Sequence, residues 1–393
     1  MLINGDSLIE LAKLSDNSVD LIVTDPPYGY SFMGKEWDKA LPDKRIWKEC
    51  LRVLKAGGFA YVMSAPRQDV LSRMMIDLED VGFKTDFTSM YWAYASGFPK
   101  ALNVSKVVDK KLGVERKVIG RNPNSRENCD KTNTVYESGT VGKTDYITES
   151  TSEKAKKLDG SYAGFQPKPA VEVIIVCMKP LEEKGYVDQA MKNGKGVSWF
   201  DDCRIPYESD SDKELCHYNA KGMDRLKKGY GEKLETSFKG GWEKKTPELN
   251  NQGRYPANLL VSDNAVDTNY GDSGDFSRYF DIDKWYESQF IITPKASKSE
   301  KNKGLDKNNH PTVKPLKLMS YLITLGSREG DVVLDPFMGS GTTPLASKNL
   351  GRNYIGIERE EEYFKICCAR VGDKPTVLDS VKGVEKERGF EVI

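Results

Sequence analysis

The stretch Thr24-Asp25-Pro26-Pro27-Tyr28-Gly29 sets side by side four groups suited to one kind of chemistry. Asp25 offers a carboxylate at the end of an apolar run, Val19-Asp20-Leu21-Ile22-Val23, that fits a buried parallel strand. Open α/β sheets bind ligands at the carboxyl ends of such strands. Pro26 and Pro27 fix φ and carry no N–H, so the loop is stiff and its carbonyls are free to accept hydrogen bonds. Tyr28 adds a flat face for a planar ligand. A rigid pair of acceptors beside an aromatic ring suits an exocyclic amine on a flat ring. The plainer reading of the same residues is a proline-stiffened turn with an exposed tyrosine. A second motif shifts the balance.

That motif is Asp331-Val332-Val333-Leu334-Asp335-Pro336-Phe337-Met338-Gly339-Ser340-Gly341-Thr342-Thr343. It reads as a strand, a glycine turn and a helix start, with Thr343 as N-cap for Pro344. Glycines here let backbone approach a ligand closely. Glu358 closes the next strand, 23 positions after Asp335, the spacing of an acidic residue that takes ribose hydroxyls. A P-loop needs a Lys that Gly341-Thr342-Thr343 lacks, which speaks against NTP hydrolysis. A dinucleotide site needs a third glycine where Thr343-Pro344 stands, which counts against a nicotinamide-linked oxidoreductase. Asp335 would repel a pyrophosphate and attract an ammonium. A nucleoside with an amino-acid tail and no phosphate, S-adenosylmethionine, fits best. Asp335 then faces the methionine side, Glu358 the ribose, and Asp6, at the tip of the strand Leu2-Ile3, the adenine amine.

The 393 residues, 38% of them hydrophobic, suffice for one large core with insertions or for two domains. Fifty-nine basic and 59 acidic residues leave a formal net charge of zero, so contact with a polyanion rests on local patches. The seven cysteines show no metal-type pairing, and Cys367-Cys368 reads as core packing. With two histidines, His217 and His310, a histidine-built metal site is not expected. No signal peptide or long apolar span is present, which makes a reduced cytoplasm the expected setting.

The positioning elements follow from periodicity. Ser7-Leu8-Ile9-Glu10 has the form of a capping box opening a helix. Gly29 to Lys39 reads as a mobile loop beside the site. A helix from Asp43 to Leu54 stops at Gly57-Gly58, a strand covers Phe59 to Met63, a helix Gln68 to Glu79, and a strand region Phe83 to Tyr94. Asn103 to Leu112 is a further helix. Ala170 to Cys177 returns to a buried strand, Pro315 opens a helix at its first position, Asn353 to Ile357 is a strand and Glu361 to Arg370 a last helix. Strand and helix alternate, as in a doubly wound α/β sheet.

Between these elements lie polar stretches. Gly113 to Ser161 is dense in Asn, Ser, Thr, Lys and Gly and reads as a flexible surface insertion. Leu181 to Gln289 mixes Lys227-Lys228, Lys239, Lys244-Lys245 and Arg254 with Trp199, Tyr207, Tyr218, Tyr230, Phe238 and Trp242, a composition suited to phosphate and base contacts and equally to a solvated face. Lys295, Lys298, Lys301, Lys303, Lys307, Lys314 and Lys317 form the most one-sided basic run, the best candidate for a phosphate-facing patch. The tail after Val371 is charged and expected to be loosely held.

Asp25-Pro26-Pro27-Tyr28 and the Asp335-to-Thr343 segment together resemble the catalytic and cofactor motifs of amino-DNA methyltransferases. His310-Pro311-Thr312-Val313-Lys314-Pro315 resembles a third signature of these enzymes, and Gly253-Arg254-Tyr255-Pro256-Ala257-Asn258 is similar to a stretch in phage and bacterial members. The catalytic motif precedes the cofactor motif, the order of the circularly permuted β group. The resemblance implies a Rossmann-like, seven-stranded mixed α/β sheet with an inserted target-recognition region, S-adenosylmethionine as cofactor, base flipping, and double-stranded DNA as partner. It implies catalytic roles for Asp25, Pro26, Pro27 and Tyr28. It implies cofactor contacts for Asp6, His310, Thr312, Lys314, Asp335, Pro336, Phe337, Gly339, Ser340, Gly341, Thr342 and Glu358. No metal and no membrane are required, and a homodimer is left open. The expected divisions are a catalytic half at 1–112, the polar insertion at 113–165, a return strand at 166–180, target recognition at 181–290, a cofactor half at 291–371 and a tail at 372–393. The setting is the cytoplasm of a bacterium or a phage-infected host.

In this family Asp at the first motif position is commoner among adenine-N6 enzymes and Ser among cytosine-N4 enzymes, so adenine is favoured, with cytosine-N4 the alternative. Rival readings are RNA or a protein glutamine as substrate, and a non-catalytic DNA-binding module that keeps the fold.

Overall fold

A computed structural model describes residues 1–30, 34, 36–94, 102–121, 146–165, 167, 170–207, 209–213, 253–262, 281–289 and 313–376. Ten strands occur among them: β1 (Leu2–Asn4), β2 (Val19–Thr24), β3 (Leu54–Ser64), β4 (Met90–Ala93), β5 (Lys117–Arg121), β6 (Tyr146–Glu149), β7 (Val171–Met178), β8 (Leu259–Val261), β9 (Val332–Asp335) and β10 (Asn353–Glu358). The chain divides into two compact units, Met1–Ala95 with Val171–Ile393, and Ser96–Ala170.

The larger unit is built on an eight-stranded sheet in the order β1-β10-β9-β2-β3-β7-β4-β8. Every strand but β7 runs the same way; β7 is antiparallel to both β3 and β4. Seven strands match the expected mixed sheet, and the short β8 adds an eighth at the edge beside β4. Some sheet neighbours are far apart in sequence. β9 and β10, from the C-terminal part of the chain, lie between β1 and β2, which open it. The expected alternation of strand and helix is thus realised as a doubly wound sheet.

Period two sends the two sets of strand side chains into two cores. Leu21, Val23, Tyr61, Met63 and Val333 face one cluster, which the helix Leu316–Gly326 covers. Ile22, Ala60, Val62, Leu334, Ile355 and Ile357 face the other, filled by Leu11, Trp47, Met74 and Leu78 from three helices. Every residue of β2 is buried, as its apolar run requires. Its one charge, Asp20, is held by the Lys55 and Lys195 ammonium groups at 2.9 and 2.8 Å and by the N–H of Val332 at 2.9 Å. The helix Leu316–Gly326 is buried along its whole length, because sheet and neighbouring helices enclose it on all sides. It starts one residue later than expected: Pro315, at φ −61° and ψ 134°, is its N-cap and Leu316 its first residue.

Three other expectations change. The helix Lys44–Val53 ends before Gly57-Gly58, which lie inside β3; there the N–H of Gly57 donates to Lys179 and the carbonyl of Gly58 accepts from it, extending the pairing beyond β7. The aromatic stretch Phe83 to Tyr94 forms only the short β4, with Lys84 making an isolated bridge to Met178. The tail begins anchored: the N–H of Thr376 donates to Leu2, and Asp373 accepts from Lys348 and Tyr354. Cys367 is buried and Cys368 half-buried, in keeping with core packing.

The smaller unit has regular structure of its own where a flexible insertion was expected. β5 and β6 pair antiparallel, and the helices Val104–Lys111 and Glu153–Lys157 pack on each other. Asp109 joins the parts. Its carboxylate accepts from the Ser152 hydroxyl and N–H, the Thr151 N–H and the Arg116 guanidinium, and these bonds hold it well below the usual carboxylate range. No helix among the described residues is long and apolar enough to cross a membrane.

The helix Leu316–Gly326 generates a stability prediction. Leu322 is fully buried in the first cluster. Leu322→Ala should lower the unfolding free energy by about 2–5 kcal/mol in urea titrations, through lost transfer energy and the cavity left behind. An unchanged midpoint would mean that this helix is not the lid of the core.

Candidate active site

The parallel run β1-β10-β9-β2 brings four acidic strand tips to one edge: Asp6 just after β1, Glu358 ending β10, Asp335 ending β9, and Asp25 just after β2. The two motifs singled out in the sequence are therefore adjacent. The Thr24 hydroxyl donates to Asp335 Oδ1 at 2.7 Å across 311 positions of chain, and the Ser7 hydroxyl donates to the Pro336 carbonyl at 2.6 Å across 329.

Around Asp25 the structure assembles a compact polar cluster. Asp25 Oδ1 accepts from the Tyr28 hydroxyl at 2.6 Å, and Oδ2 from Lys314 Nζ at 2.6 Å. Lys314 also reaches Glu172 Oε2 at 3.3 Å, and the Tyr28 hydroxyl lies 3.3 Å from the same oxygen. Side-chain exposure is 18% for Asp25 and Glu172 and 10% for Lys314. Burial, then the charges of Asp25 and Glu172, push the Tyr28 phenol well above its ordinary value. Burial opposes the Lys314 ammonium, but the two carboxylates outweigh it and hold the lysine charged. Burial, with Lys314 opposing and Asp25 adding to it, raises Glu172 from its ordinary value. Among the described residues nothing donates to the Pro26 carbonyl. A carboxylate oxygen can accept a second hydrogen bond beside the one it holds. Asp25 and the Pro26 carbonyl together thus offer acceptors to an incoming amine.

Lys314, expected as a cofactor contact, is ion-paired with Asp25 and Glu172 beside the Asp25-Pro26-Pro27-Tyr28 turn. With Lys317, which pairs with Asp283 at 2.8 Å, it is buried in ion pairs and does not face a phosphate. The remaining lysines of that run, with His310 and Thr312, lie outside the described residues, as do Lys227-Lys228, Lys239 and Lys244-Lys245. Arg254 is also buried, paired with Asp212.

One positioning residue escaped the sequence reading. Asp38, buried in a short 3-10 turn, accepts from the N–H groups of Tyr28 at 2.7 Å, Gly29 at 3.0 Å and Tyr30 at 3.2 Å. Three consecutive N–H groups converging on one carboxylate fix the turn after the two prolines. Gly29 is part of that device: at φ +72°, with its missing Cβ facing Leu41 N at 3.3 Å, it takes a backbone conformation that other residues adopt only with strain. The described part of the loop Gly29 to Lys39 is therefore fastened to the motif, where mobility was expected.

On the other side, Asp335 and Glu358 are 3% and 9% exposed. Asp335 Oδ1 accepts from the Thr24 hydroxyl and the Phe337 N–H; Glu358 accepts from the N–H of Gly339 at 2.9 Å and of Glu360 at 2.8 Å. Burial outweighs these bonds and pushes Asp335 up to about 6 and Glu358 up to about 7. Two buried carboxylates held by uncharged groups favour a cation beside them. Asp6 caps the helix Ser7–Leu11 by accepting from the N–H of Leu8; the capping box expected at Ser7 does not form, because the Ser7 hydroxyl is spent on Pro336. Phe337 packs edge-on against Trp47.

The glycine turn is held from beneath by the last helix, Glu361–Val371. Gly341, at φ +81°, is the N-cap of the helix Thr342–Asn349, so Thr343, expected as the cap, lies inside the first turn. A Cβ at Gly341 would lie 2.3 Å from Cys367 Sγ, and Arg370 donates to the Ser340 carbonyl at 2.5 Å and hydroxyl at 2.9 Å. Cys367 stood out in the sequence only as core packing and Arg370 not at all, since each acts here through a contact between separate segments. Among the described residues no group of three or more His, Cys, Asp or Glu is placed to hold a metal ion.

The N6_N4_Mtase family model, described as DNA methylase, matches residues 19–368. The type II methyltransferase M2.DpnII of Streptococcus pneumoniae is 52% identical over 62 residues, 16% of this chain and 23% of that protein. The type II methyltransferase M2.LlaDCHI of Lactococcus lactis subsp. cremoris is 46% identical over 81 residues, 21% of this chain and 29% of that one. The matched stretch thus spans about a quarter of these curated relatives. Among solved structures, the PvuII DNA methyltransferase (cytosine-N4-specific) is 16% identical with a TM-score of 0.43, covering 98% of this chain and 90% of that one.

The Asp38 arrangement predicts that Asp38→Ala will leave three N–H groups without their acceptor. Hydrogen exchange read by mass spectrometry should speed up in the peptide carrying residues 25–30, by about tenfold or more for a loss of about 1.4 kcal/mol or above. Equal exchange in the two proteins would remove Asp38 from its positioning role.

Proposed function

The chain belongs to the N6/N4 DNA methylase family, and on that footing we propose that it moves a methyl group from S-adenosylmethionine to the N6 amine of adenine in duplex DNA. The observation that carries this is the adjacency of two tips: Asp25 with the open Pro26 carbonyl after β2, and Asp335 with the glycine turn after the neighbouring β9. One tip suits a flat amine; the other suits a cationic nucleoside.

The donor set fits the cofactor. The raised carboxyls of Asp335 and Glu358 favour a ligand bearing ammonium and sulfonium charge, and no lysine stands at the glycine turn to call for a phosphate. Asp335, Pro336, Phe337, Gly339, Ser340, Gly341 and Thr342 would hold its amino-acid end, Glu358 the ribose hydroxyls and Asp6 the adenine amine; His310 and Thr312 belong to the same proposed set. When bound, S-adenosylmethionine supplies an electrophilic methyl group on a positively charged sulfur.

The chain's own residues do the rest. The adenine amine is a poor nucleophile because its lone pair is delocalised into the ring. Asp25 and the Pro26 carbonyl accept its two hydrogens and draw the nitrogen towards a tetrahedral shape. Pro27 keeps those acceptors stiff, and Lys314 is ion-paired with Asp25 at 2.6 Å. Positioning of this kind contributes up to ~7–11 kcal/mol of barrier lowering. The base leaves the duplex at a cost of a few kcal/mol. Stacking on the Tyr28 ring, itself anchored through its hydroxyl, returns roughly 1–3 kcal/mol. Adenine is preferred over cytosine on the Asp that opens the motif. The target-recognition role belongs to the region 181–290.

Incubation with labelled cofactor and mixed-sequence duplex DNA, followed by nucleoside mass spectrometry, should yield N6-methyladenine. N4-methylcytosine in its place would transfer the assignment to the other amine. Asp25→Ala should cut transfer by about a thousandfold or more while the cofactor dissociation constant moves only a few fold; an active Asp25→Ala enzyme would end the proposal.

A pH dependence follows from the two raised carboxyls. A cationic ligand binds their ionised form, so protons compete with it and its binding releases them. Cofactor affinity should therefore tighten as pH rises through about 6 and about 7, being weaker by on the order of a hundredfold at pH 5.5 than at pH 8. Calorimetry of wild type and Glu358→Gln checks this. The variant should lose most of the slope, and an equally steep slope in both proteins would detach Glu358 from the cofactor.

A further inference from the structure

The reversed direction of β7 has a chemical consequence. Its neighbours β3 and β4 run the other way, so the second residue of β7 lies at the edge where they end: Val173 pairs with Ser64, the last residue of β3, and Glu172 with Trp92. Glu172 is thereby delivered to Asp25 from a strand that neither sequence motif includes. The result is a continuous chain of oxygens, Asp25 Oδ1 to Tyr28 Oη at 2.6 Å and Tyr28 Oη to Glu172 Oε2 at 3.3 Å, with Lys314 Nζ spanning both carboxylates at 2.6 and 3.3 Å.

We propose that Glu172 is the terminal acceptor of a proton relay, Asp25 to Tyr28 to Glu172, that removes the proton from the methylated amine. This rests on the methyl-transfer reading and adds to it a residue and a route. Methyl transfer leaves the amine nitrogen positively charged and its hydrogens acidic. One N–H bond breaks, its electron pair staying on nitrogen, and the proton passes to Asp25 Oδ1. Asp25 hands it to Tyr28 Oη as Tyr28 gives its own hydroxyl proton to Glu172 Oε2. The amine ends neutral, Asp25 and Tyr28 return to their starting protonation, and Glu172 ends as the carboxylic acid. Its partly exposed side chain then returns the proton to water.

The cluster suits this direction of travel. The ammonium of Lys314 lies nearer Asp25 than Glu172, so Coulomb attraction favours leaving the negative charge on Asp25 and the proton on Glu172. Burial and the Asp25 charge independently make Glu172 a better proton acceptor than an ordinary carboxylate. The titratable groups that face it are Asp25, Tyr28, Tyr30, Tyr94 and Lys314.

Single-turnover methylation with saturating cofactor, measured from about pH 4.5 to about pH 9, tests the relay. Wild type should slow on the acid side as Glu172 becomes protonated. Glu172→Gln should be slower by about tenfold or more and lack that acid limb, with cofactor affinity within about twofold. Glu172→Asp should recover part of the rate and the limb. Tyr28→Phe should lose the same limb, and the double variant should fall no further than the worse single variant. In wild type, infrared difference spectra of the turnover should show a carboxylic-acid band that is missing from Glu172→Gln. A Glu172→Gln enzyme with wild-type rate and profile overturns the relay, as does a slower one that keeps the acid limb. So does a wild-type spectrum without the band. A wild type that methylates no DNA, or an active Asp25→Ala, instead brings down the functional reading on which the relay stands.

Discussion

Like charges crowded on one edge are the constraint around which this molecule is arranged. A parallel sheet puts the carboxyl ends of its strands together, and here β1, β10, β9 and β2 end beside Asp6, Glu358, Asp335 and Asp25. Each negative charge is met in its own way. Asp6 caps a helix, Asp25 takes an ammonium, and Asp335 and Glu358 accept from hydroxyl and N–H groups only. The last two are left under-compensated by burial, which is why their carboxyls rise towards neutrality. A site built this way gains most from a ligand that brings its own positive charge, and it disfavours phosphates. Charge compensation thus separates the edge into a cation-seeking half and, around Asp25, a half already balanced by lysine.

Rigidity on both halves comes from side chains outside the two motifs. The turn after the prolines is gathered by Asp38, and the glycine turn rests on Cys367 and Arg370. In each case the backbone is held by a side chain that neither motif contains. The acceptors are therefore in place before a substrate arrives, and little ordering is left to oppose the reaction. The entry of Glu172 through an antiparallel strand is a further example: the reversed β7 brings its N-terminal end, and with it Glu172, to the edge where β3 and β4 end.

The sequence by itself determined the chemistry of the two tips. Asp25-Pro26-Pro27-Tyr28 after an apolar run, and Asp335 followed by Gly339 and Gly341, are local arrangements whose meaning lies in residue type and spacing, so they can be read before any folding. The same holds for most strands and helices, whose apolar period is written in the chain. What only the tertiary structure decided is which charges meet. Lys314 looked like one of a run of phosphate-facing lysines, and the fold placed it in an ion pair with Asp25 and Glu172. Ser7 looked like a helix cap, and a carbonyl more than three hundred positions away claimed its hydroxyl. Glu172, Asp38 and Arg370 carried no local signal at all. Hydrogen bonds and ion pairs reach only a few ångströms, so the partner of a polar side chain is set by which strands become neighbours, and that order, with β9 and β10 inserted between β1 and β2, is fixed by packing across the whole sheet rather than by any stretch of it.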